Sequence, residues 1–133
     1  METVLVDTGA VVALLNEDDR FHSEAVLILK EMKKKGIVPL LTNFTLAEIY
    51  SRLYVTVSPD AARTWLRHNI WPVERVSGED EERARDILLG KEAVDITYSD
   101  AVSMAVMERL GISGAFTFNR AFASRGFRPL SLP

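Results

Sequence analysis

Residues 3–6 read Thr-Val-Leu-Val, an apolar and β-branched run with no polar alternation. A strand of that kind is covered on both faces, which is the environment of a parallel sheet. Parallel neighbours need long crossovers, usually helices, so this short run constrains the fold more than any other segment. The rest of the chain supplies the crossovers. Thr8-Gly9 breaks the strand, and "AVVALL" reads as a short helix ending near Asn16. "DDRFHSEAVLILKEMKKKG" reads as a second helix, with acids at its start, Lys33 to Lys35 at its end and Gly36 as the stop, the order that caps and the macrodipole favour.

The alternation continues to the end. "IVPLLT" (37–42) is a strand, and Pro39 argues that it lies near an edge. The helix after it carries Leu46, Ile49, Tyr50, Leu53 and Val57 on one face. Ser58-Pro59 opens a further helix, "WPVERV" is a third strand, and "GEDEERARDILLG" is an amphipathic helix closed by Gly90. "TYSDAVSMAVMERLG" is apolar around most of its circumference, so it belongs in the interior. "GAFTFN" is strand four and "GFRPLSL" a short strand five. Strands alternating with helices give one α/β domain over residues 1–133, with a mostly parallel sheet of four to five strands.

At 133 residues, a chain buries roughly two thirds of its unfolded surface, enough for one stable core. With no cysteine, disulfides and thiolate metal sites are excluded, and a reducing cytoplasm is the expected compartment. Glu2 and Asp7 do not fit a secretory leader, and no apolar run approaches a membrane span. The net charge of −3 excludes a general basic surface for nucleic acid. RNA contact would rest on a local basic patch or on bound cations.

Asp7 is the one charge in "VLVDTGAVVALLN", and a buried carboxylate is costly unless something compensates it. In open parallel sheets, ligands sit beyond the carboxyl ends of the strands. Asp7 follows strand one, Asn119 ends strand four, Asp100 opens the helix before strand four, and Glu48 lies one turn into the helix after strand two. Each has a plain structural explanation. Asp7 is a favoured N-cap type, Thr97-Tyr98-Ser99-Asp100 has the form of a capping box, and Asn is common in turns. Glu48 lies opposite the apolar face of its helix and has Arg52 at i+4 as an ion-pair partner.

As a set they say more. Asp100 shares the inward face of Ser103, Met104 and Met107. Clustered carboxylates raise one another's pKa unless a cation sits among them. Oxygen donors without His or Cys point to Mg²⁺ or Mn²⁺, ions that serve phosphoryl chemistry. His22 and His68 have no metal-ligand spacing and read as structural. The lysines at 33–35 read as a solvated helix end.

"VLVDTGAVVALLNEDDRFHSEA", "TNFTLAEIYSRL", "TYSDAVSMAVMERLGISGAFTFNRAF" and a late "GF" together resemble the PIN-domain family, in particular the toxin ribonucleases of VapBC toxin–antitoxin systems. The resemblance implies a three-layer α/β/α fold and a Mg²⁺- or Mn²⁺-dependent endoribonuclease. It also implies an antitoxin partner and a homodimer. The family's acids match Asp7, Glu48 and Asp100, which the resemblance makes the metal ligands. Its fourth acid falls on Asn119, whose amide offers an oxygen but no charge. Asp95 is a candidate for the missing charge. Thr8 and Thr117 are candidates for supporting hydrogen bonds, and Arg120, Arg125 and Arg128 for phosphate or antitoxin contacts. The departure at Asn119 keeps a second reading open, a catalytically weakened scaffold that binds RNA or protein. A third, an aspartyl phosphotransferase acting through Asp7, needs an acid two residues on, where the chain has Gly9.

Overall fold

The computed structural model describes residues 1–93 and 95–131. Five strands, β1 (Thr3–Val6), β2 (Val38–Thr42), β3 (Val73–Glu74), β4 (Gly114–Phe116) and β5 (Arg128–Pro129), form one sheet in the order β3-β2-β1-β4-β5. All four pairings are parallel. Seven helices are present among the described residues: α1 (Thr8–Leu15), α2 (His22–Lys35), α3 (Asn43–Thr56), α4 (Pro59–His68), α5 (Gly78–Leu89), α6 (Tyr98–Leu110) and α7 (Ala121–Ser124).

The pleat divides the apolar strand residues between two cores. Val4, Val6, Leu41 and Phe116 pack with α1–α4, whereas Leu5, Leu40 and Ala115 pack with α5–α7. The result is the three-layer α/β/α arrangement. β1 is central because all three of its apolar residues have a covered face to point into, and each fully buried Val or Leu contributes about 2 kcal/mol. α6 is buried continuously from Asp100 to Met107, as its all-round apolar pattern requires. Gly111 closes it at φ 70°, a left-handed turn that glycine adopts without steric cost.

Several boundaries differ from the sequence pattern. α2 starts at His22 rather than Asp18, because the Asp19 carboxylate accepts the Phe21 N–H at 2.8 Å and holds the chain in a turn. β3 and β5 are two residues each, not six or seven. Pro72 and Pro129 bring no N–H to a ladder, and Pro72 contributes only its carbonyl, to Leu41 N. The expected fifth strand also reached Leu132, which lies outside the described residues. β2 is not an edge strand, yet β3 covers it only at Leu41 and Thr42, so Pro39 meets no ladder on that side. The short helix α7 falls within a stretch read only as chain between strands.

Candidate active site

The carboxyl ends of β1, β2 and β4 open on one side of the sheet. A cavity of about 480 Å³ there is lined by Asp7, Thr8, Glu48, Asp100 and Asn119, together with Arg20, Phe21, Arg52 and Phe118. All four sequence candidates therefore reach one cavity.

Asp7 is both a cap and a site residue. Its backbone N–H continues the β1–β4 ladder by donating to Phe116 O at 3.0 Å. Its Oδ1 accepts the Thr8 N–H at 2.9 Å, and its Oδ2 accepts the Thr117 hydroxyl at 2.8 Å. Burial raises its pKa, and the neighbouring charge of Asp100 raises it further. The Thr117 and Thr8 hydrogen bonds act in the opposite direction, and the outcome is a pKa of about 7.

Asp100 closes the capping box of α6. Its N–H donates to Thr97 Oγ1 at 3.1 Å and its Oδ2 accepts Thr97 N–H at 3.0 Å. The same oxygen accepts Asn119 Nδ2 at 3.0 Å. The Asn119 amide has only one sensible orientation. Its oxygen accepts Ala121 N–H at 2.9 Å, and its NH₂ also donates to Asp95 O at 3.3 Å. Reversed, it would set oxygen against the Asp100 carboxylate and NH₂ against an N–H. Asn119 thus presents hydrogens to the site, which corrects the expectation that it offers an oxygen to a metal. Asp95 is corrected as well. Its side chain is exposed, and it contributes a backbone carbonyl from a residue at φ 55°.

Glu48 is half-buried on the α3 wall. The expected Glu48–Arg52 ion pair is absent among the described residues, although both side chains line the cavity. Among the described residues, no three Asp, Glu, His or Cys side chains stand close enough to enclose an ion between them. The tight unit is the pair Asp7 and Asp100, with Asn119 as its one side-chain amide donor among the described residues. Two features of this unit fit one divalent cation. The paired carboxylates have no salt bridge to an Arg or Lys among the described residues. Thr8 beside them is 1% exposed, and its buried hydroxyl has no hydrogen-bond partner among the described residues.

The remaining candidates lie elsewhere. His22 Nδ1 pairs with Ala13 O at 2.7 Å, and His68 lines an apolar groove between α1, α2 and α4, so neither histidine is in the site. Arg128 forms an ion pair with Glu2. None of Arg120, Arg125 and Arg128 lines the cavity. The cavity's arginines are Arg20 and Arg52. The sequence pattern pairs Arg52 with Glu48 along its helix and places Arg20 at the start of a helix. The only signal for Arg20 was the Asn-Glu-Asp-Asp cluster before it, a turn composition.

Residues 4–128 match the family profile described as the PIN domain. The 23S rRNA-specific endonuclease VapC20 of Mycobacterium tuberculosis is 29% identical over 130 residues, covering 93% of this chain and 95% of its own length. The crystal structure of M. tuberculosis VapC20, described as a sarcin–ricin loop cleaving toxin, superposes with a TM-score of 0.84 at 28% identity. It covers 97% of this chain and 99% of its own. VapBC2 of Rickettsia felis, bound to a promoter DNA fragment, superposes with a TM-score of 0.72 at 12% identity, covering 98% and 99%. At that identity the likeness concerns the fold alone.

Proposed function

The chain belongs to the PIN-domain family, and from that premise we propose that it is a metal-dependent endoribonuclease, the toxin of a type II toxin–antitoxin pair. The observation that carries this reading is the buried Asp7–Asp100 pair at the carboxyl edge of the sheet, open to a cavity and without a salt bridge to a basic side chain among the described residues. The cavity suits a phosphodiester, because Arg20 and Arg52 bring positive charge to its wall. The substrate class follows the VapC20 relative: RNA of the large ribosomal subunit, with a sarcin–ricin-type loop as the first candidate. An unpaired loop also suits a protein that must reach one backbone phosphate. The partners are the RNA and a cognate antitoxin, with a homodimer as the working assembly. Among the described residues no helix is long and apolar enough to cross a membrane, and the cytoplasm is the expected place of action.

Asp7 and Asp100 would hold a Mg²⁺ or Mn²⁺ ion, with Glu48 contributing from the α3 wall. Such an ion neutralises the phosphate and lowers the pKa of an attacking water. The protein's own part is positional. Thr117 and the Thr8 N–H fix both oxygens of Asp7, and Asn119 fixes Asp100 Oδ2. Arg20 and Arg52 draw the backbone in. Glu48 would orient the water and accept its proton as the water oxygen bonds to phosphorus and the P–O bond to the leaving ribose oxygen breaks, that oxygen taking a proton from solvent.

The test is cleavage of a synthetic sarcin–ricin hairpin and of mixed structured RNAs, with Mn²⁺, with EDTA, and with Asp100→Asn protein. Discrete fragments that need both the metal and Asp100 are expected. Folded, antitoxin-free protein that cuts nothing under any condition would favour the scaffold reading. One observation supports that second reading: the Asn119 oxygen is spent on Ala121 N–H, so this position brings neither a charge nor a free oxygen to the pocket.

A further inference from the structure

Beside the carboxylates, the cavity wall carries a three-layer stack that the hydrolytic roles above leave unexplained. The rings of Phe21 and Phe118 lie parallel, 4.5 Å between centroids with an interplanar angle of 0°. On Phe21 lies the guanidinium of Arg20, its Cζ 4.5 Å from the ring centroid. All three residues line the cavity that holds Asp7 and Asp100.

The stack is held in register with the carboxylate pair from both sides. Phe118 sits between Thr117, which donates to Asp7, and Asn119, which donates to Asp100. Asn119 N–H in turn donates to Thr117 Oγ1 at 3.0 Å, closing a tight turn under the ring. Phe21 is fixed by the Asp19 carboxylate on its N–H, and its ring borders the core under α1 and α2. Arg20 is exposed and makes no salt bridge among the described residues. A cation stacked on a ring, free of any carboxylate, can leave that ring for a phosphate at little cost.

We propose that Phe21, backed by Phe118, is the platform on which a nucleobase next to the cut phosphate stacks, taking the place of the Arg20 guanidinium, which turns to the RNA backbone. Unpaired bases stack on aromatic rings and on Arg planes, and every base has a π-face, so such a platform accepts single strands without reading sequence. It would hold a splayed-out nucleotide while Asp7 and Asp100 face the adjoining phosphate. Base identity would then be set by other groups. The inference rests on the ribonuclease reading and adds the way the strand is gripped.

The experiment compares two single-stranded RNA octamers of equal charge, oligoadenylate and an abasic ribose-phosphate octamer, by fluorescence anisotropy in Mg²⁺. Asp100→Asn protein serves as the background, so that nothing is cut. Adding Phe21→Leu keeps the apolar volume and removes the π-face, and adding Phe21→Trp keeps the face. Phe21→Leu is expected to weaken oligoadenylate roughly 5- to 150-fold, the range of one base–aromatic stack, and the abasic strand less than twofold. Phe21→Trp is expected to retain the preference. Equal losses on both strands, or none on either, would overturn the platform, as would a Phe21→Trp protein that loses the preference while melting normally. A protein that cuts RNA as proposed but shows any of these patterns loses the platform alone. One that neither cuts RNA nor binds either octamer loses both proposals.

Discussion

The molecule contains the same local device twice, at the N-termini of α5 and α6. At α5, Ser77 Oγ accepts Asp80 N–H at 3.1 Å and Asp80 Oδ2 accepts Ser77 N–H at 2.9 Å. At α6, Thr97 and Asp100 repeat this at 3.1 and 3.0 Å. Both aspartates are buried, 3% and 5% exposed. They differ only in what the fold brings to their remaining lone pairs. Asp80 meets the Arg109 guanidinium, which donates from Nε and Nη2 at 2.9 Å each, and this holds its carboxyl below the usual range. Asp100 meets another carboxylate, Asp7, and a neutral amide. One box is a cross-brace between helices. The other leaves negative charge unbalanced in a cavity, where a cation or a proton has to supply the balance. A buried aspartate is therefore classified by its partner and not by its motif.

The contrast can be broken most sharply by neutralising each acid. Asp100→Asn is expected to lower RNA cleavage more than roughly 100-fold, since even outer partners of metal sites cost 10- to 100-fold. Its melting temperature should hold or rise, because a like-charge neighbour has gone. Arg109→Leu strands Asp80 without its cation. Loss of one partner from a wholly buried pair costs 3–5 kcal/mol, and because Arg109 is a third exposed about 2–3 kcal/mol is expected. That is a melting temperature lower by roughly 6–10 °C, with cleavage at permissive temperature within twofold. If cleavage collapsed in proportion, the two boxes would not be independent.

The pH dependence of stability should also separate them, with opposite signs. In the folded chain Asp7 holds a proton up to about pH 7, whereas the unfolded chain loses it in the ordinary carboxylate range. Across that window the native state binds more protons, so its stability falls as pH rises and levels off above about 7. Asp80 has a lowered pKa. Its contribution is present above the unfolded value and is lost as pH falls through the folded one. Metal-free denaturant titrations should thus show Asp7→Asn gaining on the parent protein between pH 4 and 7, on the order of a few kcal/mol. Asp80→Asn should lose on it at neutral pH and converge in acid. Parallel curves for the two variants would remove the distinction.

The smallest effect is also the most direct check on Asn119. Asn119→Asp returns a carboxylate to the pocket at the expense of the hydrogen bond to Asp100. Without metal it should lower stability by about 1 kcal/mol, and Mn²⁺ should then raise its melting temperature by more than it raises that of the parent. An equal metal response would mean that the residue at this position does not contribute to the ion.

A second comparison shows what cavity size does not say. The groove between α1, α2 and α4 is larger, about 790 Å³, and is lined by Leu14, Leu29, Leu53, Trp65 and Trp71. Its one acid is Asp60. Its lining is mainly apolar side chains of packed helices, with no set of converging polar groups. The smaller cavity is the proposed site because elements end around it with polar side chains.

Much of this was legible in the chain before folding. The β-branched run at 3–6, the all-round apolar α6, the Gly36 stop and the Thr97–Asp100 capping box are local properties. They follow from side-chain shape and hydrogen bonds within four residues, and the sequence determined them alone. The order of acids along the chain also located Asp7, Glu48 and Asp100 at strand and helix ends. Partners distant in sequence were beyond its reach. Thr117 on Asp7 spans 110 residues, Arg109 on Asp80 spans 29, and Phe21 on Phe118 joins α2 to the end of β4. No periodicity encodes which buried carboxylate meets a guanidinium and which meets another acid, because burial cost depends on everything that arrives around the group. Only the tertiary structure, with α5 packed on α6 and β1 beside β4, decided that Asp80 became a brace and Asp100 half of a charged pair.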